Sequence, residues 1–314
     1  MTPFQKKVSM TDIRVPQNGR TFYGDKILSF KDIFYDTGTE QAIKTGLDSI
    51  LGGVGLSETL LSNTIDYCIN QAKQCSDLLH YEHSIRTFLD QKKILDKYNI
   101  AKKSRALMRI GRVEQYLVGT TVLDLGCGSS KIGLAIKNKG YEVTLADVYR
   151  NDDVSASGLS FYQITDGELL PFEDISFDNV LILSILHHTQ NPSHTIHECA
   201  RILKNGGRVH LIETVYGIHT GKKGGYGTED LPFRSLSSEQ QRQVTMFFDY
   251  FANHILDGYT EDPNTYIPVP FNFTTPDNLE RIFLEKGFEL VSKENLGIYP
   301  FSYVYHVHFT YDKP

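Results

Sequence analysis

The stretch that decides the fold is Thr121-Val-Leu-Asp-Leu-Gly-Cys-Gly-Ser-Ser-Lys-Ile-Gly133. It contains a short apolar run with one carboxylate, then two glycines, then a segment of helical character. This order predicts a strand, a glycine turn and a helix start, which together make a nucleotide-type binding loop. The carboxylate, Asp124, does not suit an anionic pyrophosphate, but it suits a ligand that carries an ammonium beside a carboxylate. An amino-acid-bearing nucleoside has both groups.

Length and composition are those of an ordinary soluble protein with a sizeable core. The chain has 314 residues, of which 40% are hydrophobic and 22% are charged, and it can form one large domain with additions or two domains. The sequence has no apolar run of about 18 residues, as a membrane span requires, and its start lacks the apolar stretch of a signal peptide. We therefore expect a cytoplasmic protein that does not bind membranes.

Net charge and cysteine spacing indicate which ligands the chain is expected to bind. The formal net charge is −6, so a broad phosphate-binding surface for nucleic acid is not expected. A small-molecule substrate is expected instead, and a homodimer is compatible with the sequence. The four cysteines show no metal-site spacing, so we expect reduced thiols and no metal centre. These cysteines are Cys68, Cys75, Cys127 and Cys199.

Beyond the glycine turn, strands and helices alternate along the chain. Predicted strands cover 122–125, 141–146, 159–164, 177–184 and 208–213, and predicted helices cover 130–139 and 192–204. This alternation indicates a parallel sheet with helices on both faces. The tail predicts a helix over 276–286 and a hairpin of 288–292 with 301–311, which adds an antiparallel strand to the sheet.

Two further regions lie outside this sheet. Residues 1–100 form a predicted helical N-terminal segment, and residues 214–270 form a predicted lid-like insertion. The insertion contains a helix that begins near Ser237, has apolar residues at helical spacing and ends near Gly258. We therefore predict three parts, namely 1–100, the core of 101–213 with 271–314, and 214–270.

Taken together, these motifs resemble the class I S-adenosylmethionine-dependent methyltransferases. Four segments in order carry the resemblance, and Ser130 stands where the family usually has a third glycine. The segments are Leu123-Asp-Leu-Gly-Cys-Gly-Ser-Ser, Asp147, Asp166-Gly-Glu-Leu-Leu-Pro-Phe, and the run from Phe177 to Glu213. The resemblance implies a Rossmann-like seven-stranded, mostly parallel sheet with an antiparallel terminal strand. It also implies S-adenosylmethionine as methyl donor and S-adenosylhomocysteine as product.

The resemblance also assigns the residues that hold the donor. Asp147 lies at the position of the ribose-binding acid, and Asp166 with the Gly167 N–H lies on the adenine side. An acid at the position of Asp147 fits nicotinamide enzymes too, so a dehydrogenase is an open alternative. The full predicted donor set is Asp124, Gly126, Cys127, Gly128, Asp147, Val148, Asp166, Gly167 and Ser184.

Candidate catalytic residues follow the fourth and fifth strands. Methyl transfer from a sulfonium is an in-line displacement, so a base is needed only if the acceptor must lose a proton. His187 and His188 are candidates for that base at the carboxyl edge of the sheet. Packing against the donor or capping of the next helix are the alternatives. Glu213 is the third candidate, with anchoring of the insertion as its alternative.

The insertion contributes candidate acceptor-pocket residues. They are Tyr216, just beyond the fifth strand, and Asp249, Asn253 and His254 on the predicted helix. A solvent-facing helix side is the alternative for the last three. The sequence thus predicts methyl transfer to a small metabolite in a lid-covered pocket. A protein or RNA methyltransferase and a catalytically silent S-adenosylmethionine-binding partner or sensor are the other hypotheses.

Overall fold

The structure is a computed structural model that describes residues 13–14, 22–23, 29–101, 105–219, 231–256, 267, 269–298 and 303–314. Its described helices are α1 (Thr37–Gly52), α2 (Glu58–Gln74), α3 (Leu78–Gln91), α4 (Ile94–Ala101), α5 (Arg105–Glu114), α6 (Lys131–Lys137), α7 (Asp152–Ser157), α8 (Pro192–Ile202), α9 (Leu231–Arg234), α10 (Ser238–Tyr250) and α11 (Pro276–Glu285). Its described strands are β1 (Ile13–Arg14), β2 (Phe22–Tyr23), β3 (Thr121–Leu125), β4 (Glu142–Asp147), β5 (Ser160–Gln163), β6 (Phe177–Leu183), β7 (Leu203–Val215), β8 (Glu289–Ile298) and β9 (Tyr305–Asp312).

The chain divides into two compact units. The helical unit is built from described residues within 1–103, 215–271 and 297–305. The sheet unit is built from described residues within 104–214, 272–296 and 306–314. The predicted N-terminal segment and the predicted insertion thus fall in the same unit. That each predicted part is a domain in its own right stays a prediction.

Seven strands form one sheet in the order β5-β4-β3-β6-β7-β9-β8. Neighbours from β5 to β7 run parallel, with Asp124 of β3 opposite Leu145 of β4 and Leu181 of β6. Only residues 299–304 connect β8 to its neighbour β9, which is too short for a parallel crossover, so these two strands run antiparallel. The predicted Rossmann-like, mostly parallel sheet is confirmed.

Side-chain caps begin the helices α8, α10 and α11. Asn191 accepts the His194 N–H at the start of α8, and Thr275 accepts the Asn278 N–H at the start of α11. In each helix a proline occupies the first turn, where its missing N–H leaves no intrahelical bond unmade. Ser237 and Gln240 form the predicted capping box of α10.

Several element boundaries differ from the sequence prediction, and β8 runs to Ile298, six residues beyond its predicted end at Ser292. The helix α8 ends at Ile202 and β7 begins at Leu203, five residues earlier than predicted. Gly206 N–H donates to Lys313 O and Lys313 N–H donates to Gly207 O, so residues 206–207 pair with the chain beyond β9, with Gly206 at φ +76°. The helix α10 continues as a π-helical turn, Phe251–Leu256. Its predicted end at Gly258 lies outside the described residues.

The helical unit is held together by close helix packing and an aromatic cluster. A Cβ at Gly46 of α1 would lie 2.3 Å from Phe248 Cζ and 2.5 Å from the Tyr303 ring, so the two helices α1 and α10 approach closely there. Phe30 packs against Tyr81, Phe247 and Tyr250 with ring centroids 5.1–5.6 Å apart. No described helix is both long and apolar enough to cross a lipid bilayer.

Candidate functional site

The glycine turn, residues 126–130, joins β3 to α6. Gly126 and Gly128 have φ of +71° and +49°, which side-chain-bearing residues rarely adopt. A Cβ at Gly126 would lie 2.4 Å from Ile185 Cγ2, so packing excludes a side chain there. At Gly128 no atom of the described residues lies within 4 Å of the equivalent position. The backbone at Gly128 is therefore open to close approach by a ligand.

Asp124 lies beneath this turn and is buried. Its Oδ2 accepts the Gly133 N–H at 3.1 Å, so the carboxylate fixes the start of α6. Burial, aided by the neighbouring charge of Asp147, raises the pKa of Asp124 to about 7, although the Gly133 N–H bond favours the ionised form. A cation placed beside Asp124 would favour its ionised form.

Asp147 ends β4 and holds the turn from the side. Its Oδ2 accepts the Gly128 N–H at 2.8 Å, and its Oδ1 accepts the Val148 N–H at 2.7 Å. Burial raises the pKa of Asp147 despite these bonds. Each carboxylate oxygen has a second lone pair, so both can accept a further hydrogen bond. Val148, with 36% of its surface exposed, follows directly.

Asp166 and Gly167 lie in the loop 164–176 between β5 and β6. Asp166 Oδ2 accepts the Gln190 N–H at 2.7 Å, and burial raises the pKa of Asp166. Arg201 of α8 clamps the same loop by donating to the carbonyls of Leu170 and Phe172 at 3.0 and 2.8 Å. Arg201 was not among the predicted site residues, because the carbonyls that it binds are distant from it in the chain.

Ser184 follows β6 at φ +62°. Its Oγ accepts a hydrogen bond from Arg109 Nη2 at 3.2 Å, so a guanidinium from α5 lies at the carboxyl edge of the sheet. Arg109 was not among the predicted site residues either. The available signal was an arginine on the helix immediately before β3.

His187 and Glu213 form a buried pair after β6 and near the end of β7. His187 Nδ1 is hydrogen-bonded to Glu213 Oε1. Glu213 also accepts the N–H groups of Leu186 at 2.9 Å and of Thr214 at 2.7 Å. Glu213 thus faces Nδ1 of His187 with a carboxylate that two backbone N–H groups hold in place.

The His187 ring is packed by its neighbours in the sheet unit. Phe273 stacks on it with centroids 5.0 Å apart and planes at 25°, and the half-buried His188 ring lies at 4.1 Å. Asn272 donates its side-chain amide to Thr189 O at 2.8 Å, which ties this segment to the turn carrying both histidines. The imidazole of His187 is thus held by a carboxylate at one nitrogen and by an aromatic ring on its face.

The insertion residues lie in the helical unit. Asn253 donates to Asp249 Oδ1 at 2.9 Å. His254 is buried, stacks on Tyr250 at 4.4 Å, and its Nδ1 lies 3.5 Å from Glu82 Oε2. Tyr216 is half-buried beyond β7. Their role in binding an acceptor stays a prediction.

The part of the chain that is similar to known proteins contains the strands and the glycine turn described above. Residues 123–211 match the family model described as methyltransferase domain. A ubiquinone biosynthesis O-methyltransferase from Alkalilimnicola ehrlichii is 33% identical over 101 residues, which are 30% of this chain and 41% of that protein. Its counterpart from Azoarcus sp. is 26% identical over 197 residues, which are 60% of this chain and 72% of that protein. The chain thus matches less than half of the length of the first relative.

A solved structure is also similar. It is that of an S-adenosylmethionine-dependent methyltransferase, possible histamine N-methyltransferase, from Thermotoga maritima, with a TM-score of 0.46 and 16% identity over 74% of this chain and 99% of that one. The family match runs from β3 into β7 and contains the glycine turn, Asp147, Asp166 and His187. Residues 123–211 of this chain are therefore a methyltransferase domain, and their motifs resemble those of the class I, S-adenosylmethionine-dependent family.

Proposed function

We propose that this protein transfers a methyl group from S-adenosylmethionine to a hydroxyl oxygen of a small-molecule acceptor. The observation that carries the proposal is the buried pair of His187 and Glu213 at the carboxyl ends of β6 and β7. The glycine turn and Asp147 lie at the carboxyl ends of β3 and β4, on the same edge of the parallel sheet. Ligands of open α/β sheets bind at this edge.

A histidine held in this way favours an oxygen acceptor. An amine or a thiolate attacks a sulfonium with little help, whereas a hydroxyl must lose a proton. His187 is proposed to take that proton, and Glu213 to stabilise the imidazolium that results. The relatives named as O-methyltransferases support oxygen as the atom methylated.

The turn and its surroundings fit the donor's amino-acid end. S-adenosylmethionine, when bound, supplies a methyl group activated by its sulfonium. Asp124 is proposed to balance the donor's ammonium, because its buried carboxylate is the acid beneath the turn. Arg109, beside Ser184, is proposed to balance the donor's carboxylate. Gly126, Cys127 and Gly128 are proposed to border it through their backbone.

The two loops after β4 and β5 fit the nucleoside end. Asp147 is proposed to accept from the ribose hydroxyls with the lone pairs that its backbone bonds leave. Asp166 and the Gly167 N–H are proposed to contact the adenine ring, with Val148 packing on its face. Val148 is 36% exposed, so its side chain is accessible to such a ligand.

The acceptor side rests on the sequence pattern alone. The insertion 214–270 is proposed as a lid, and Tyr216, Asp249, Asn253 and His254 are proposed to contact the acceptor. The aromatic content of the chain, 18 Phe and 18 Tyr, favours a partly apolar acceptor such as a phenol or catechol.

The test is incubation of the protein with methyl-labelled S-adenosylmethionine and a matched panel of phenols, catechols, anilines and thiophenols. Mass spectrometry of the products should find label on the hydroxyl compounds and S-adenosylhomocysteine in equal amount. Label on the anilines alone would contradict the assignment of oxygen. Donor binding without any labelled product would instead support the silent-sensor hypothesis, and binding of NAD in its place would support a dehydrogenase.

A further inference from the structure

The segment after β4 holds both polar groups of Gly128. Gly128 N–H donates to Asp147 Oδ2 at 2.8 Å, and Gly128 C=O accepts from the side-chain amide of Asn151 at 2.7 Å. We propose that Asn151 is a positioning residue for the methyl donor, acting by fixing the orientation of the Gly128–Ser129 peptide. The identity of the donor rests on the function proposed above.

The need for such a bond follows from the turn itself. Gly128 has φ +49° and no side chain to restrict it. The backbone of a glycine has more accessible conformations than the backbone of any other residue. Ordering one residue's backbone costs conformational entropy. A bond that fixes Gly128 before the ligand arrives removes part of this loss from the binding step.

Peptide geometry transmits the effect to the next residue. In a trans peptide the C=O of one residue and the N–H of the next point in opposite directions. Because Asn151 draws Gly128 O toward the start of α7, the Ser129 N–H points away from α7. That N–H is thereby preset as a donor for a ligand that approaches the open backbone at Gly128.

Ser130 supplies a second link between the same segments. Its Oγ donates to Asp153 O at 3.3 Å, and the residue is buried with φ +57°. A serine in place of the family's usual glycine is strained at this φ, and the extra hydrogen bond offsets part of that strain. The turn is thus fastened to α7 at Gly128 and again at Ser130.

The side chain of Asn151 has two separable roles. Its Oδ1 accepts the Val154 N–H at 2.9 Å and caps α7, whereas its Nδ2 holds Gly128. Aspartate and serine are N-cap residues about as good as asparagine, but neither has the amide donor. Asn151→Asp and Asn151→Ser therefore keep the cap and remove the bond to the turn, the first with an added charge and the second without one.

The experiment measures donor and S-adenosylhomocysteine binding by calorimetry, together with KM and kcat for methyl transfer. Loss of one hydrogen bond of this kind should raise Kd and the donor KM about tenfold in both variants, with kcat at saturating donor nearly unchanged. The matched control is Asn191→Asp, because Asn191 caps α8 through the His194 N–H, and no bond from it to the glycine turn occurs among the described residues. Its binding should equal that of the wild type.

Two results would overturn the proposal. Wild-type affinity in both variants would show that Asn151 is only a helix cap. Weak binding in Asn151→Asp alone would show that charge beside Asp147, and not the lost donor, is responsible.

Hydrogen exchange in the ligand-free protein gives an independent readout. Faster exchange of the 126–130 amides with α7 still protected supports the proposal, whereas loss of protection in α7 with the turn unchanged contradicts it. This readout does not depend on turnover. If wild-type protein fails to bind the donor, the proposed function fails, while the exchange data still decide the role of Asn151.

Discussion

Glu213 holds Nδ1 of His187 while its carboxylate accepts two backbone N–H groups, from Leu186 and Thr214. The carboxylate is therefore fixed by the backbone of both strand ends, and the imidazole is oriented by a group that cannot easily rotate. This arrangement needs no movement of Glu213 when His187 gains a proton. It is the basis for the first prediction.

Replacing His187 by glutamine should lower kcat by about 10²–10⁴-fold, because the proton acceptor is lost, with little change in the donor Kd. Glu213→Gln should lower kcat less, because His187 remains. His197→Gln, an exposed histidine on α8, is the matched control and should behave as wild type. Steady-state rates with a phenolic acceptor measure all three. Full activity in His187→Gln would rule out the base assignment.

Replacing Asp147 by alanine should weaken donor binding by about 100-fold or more. The variant loses both the proposed ribose contacts and the bond that holds Gly128, and charge-assisted hydrogen bonds contribute about 1.5–3 kcal/mol each. Calorimetric titration with S-adenosylhomocysteine measures the change. Asp152→Asn, an exposed acid on α7, is the control. Binding as tight as wild type in Asp147→Ala would refute the assignment of the ribose site.

The buried carboxyl of Asp124 predicts a pH effect of defined sign. Its pKa of about 7 in the folded protein exceeds the ordinary 3.8, so the folded state binds the proton more tightly than the unfolded state. Stability from this group is highest below pH 4 and is lost as pH rises through 7. As pH rises from 5 to 8, the free energy of unfolding of Asp124→Asn should therefore increase by about 2 kcal/mol relative to that of the wild type. Urea unfolding at the two pH values measures this change. An equal difference in unfolding free energy between variant and wild type at pH 5 and at pH 8 would contradict the prediction.

The buried histidines of β7 and β9 predict the opposite sign. Burial lowers the pKa of His210 to about 3 and of His308 to about 4, from an ordinary 6.5. Below pH 6.5 these histidines bind protons in the unfolded state but not in the folded state. Their contribution to stability is therefore complete above pH 6.5 and decreases toward pH 4. The free energy of unfolding should decrease by about 2 kcal/mol less in His308→Gln than in the wild type when pH falls from 7.5 to 5. His197→Gln, which is exposed, should leave that loss unchanged.

Two glycines in helices predict opposite responses to alanine. Gly46→Ala places a methyl 2.3 Å from Phe248 Cζ and should lower the free energy of unfolding by about 1–3 kcal/mol. Gly111 of α5 has no described atom within 4 Å of the added methyl. Gly111→Ala should therefore stabilise the protein by about 0.5–1 kcal/mol through helix propensity. Thermal unfolding of the two variants checks both signs, and a gain in Gly46→Ala would contradict the packing.

Local signals account for what could be predicted from the sequence. The strands β3 and β6 begin and end within one residue of their predicted bounds, because apolar runs next to glycine and polar residues are local patterns. The start of β7 was missed, because pairing of Gly206 and Gly207 with Lys313 joins residues about a hundred positions apart.

The residues of the candidate site also divide into those with a local sequence signal and those without one. Its motif residues were predicted, since each follows a strand in a recognisable order. Arg109, Asn151 and Arg201 were not, because each acts through a side-chain bond to a partner distant in the chain. The joining of residues 1–103 with 215–271 in one unit has no local signal either.

The position of β9 between β7 and β8 has a consequence for synthesis on the ribosome. The strand made last among those described lies inside the sheet, so β7 and β8 cannot be joined until residues 305–312 have left the exit tunnel. Until then both strands present unpaired edges, which are sites for association with other chains. The nascent polypeptide therefore completes its sheet only once residues 305–312 have emerged, and the interval before that is when a chaperone would be needed.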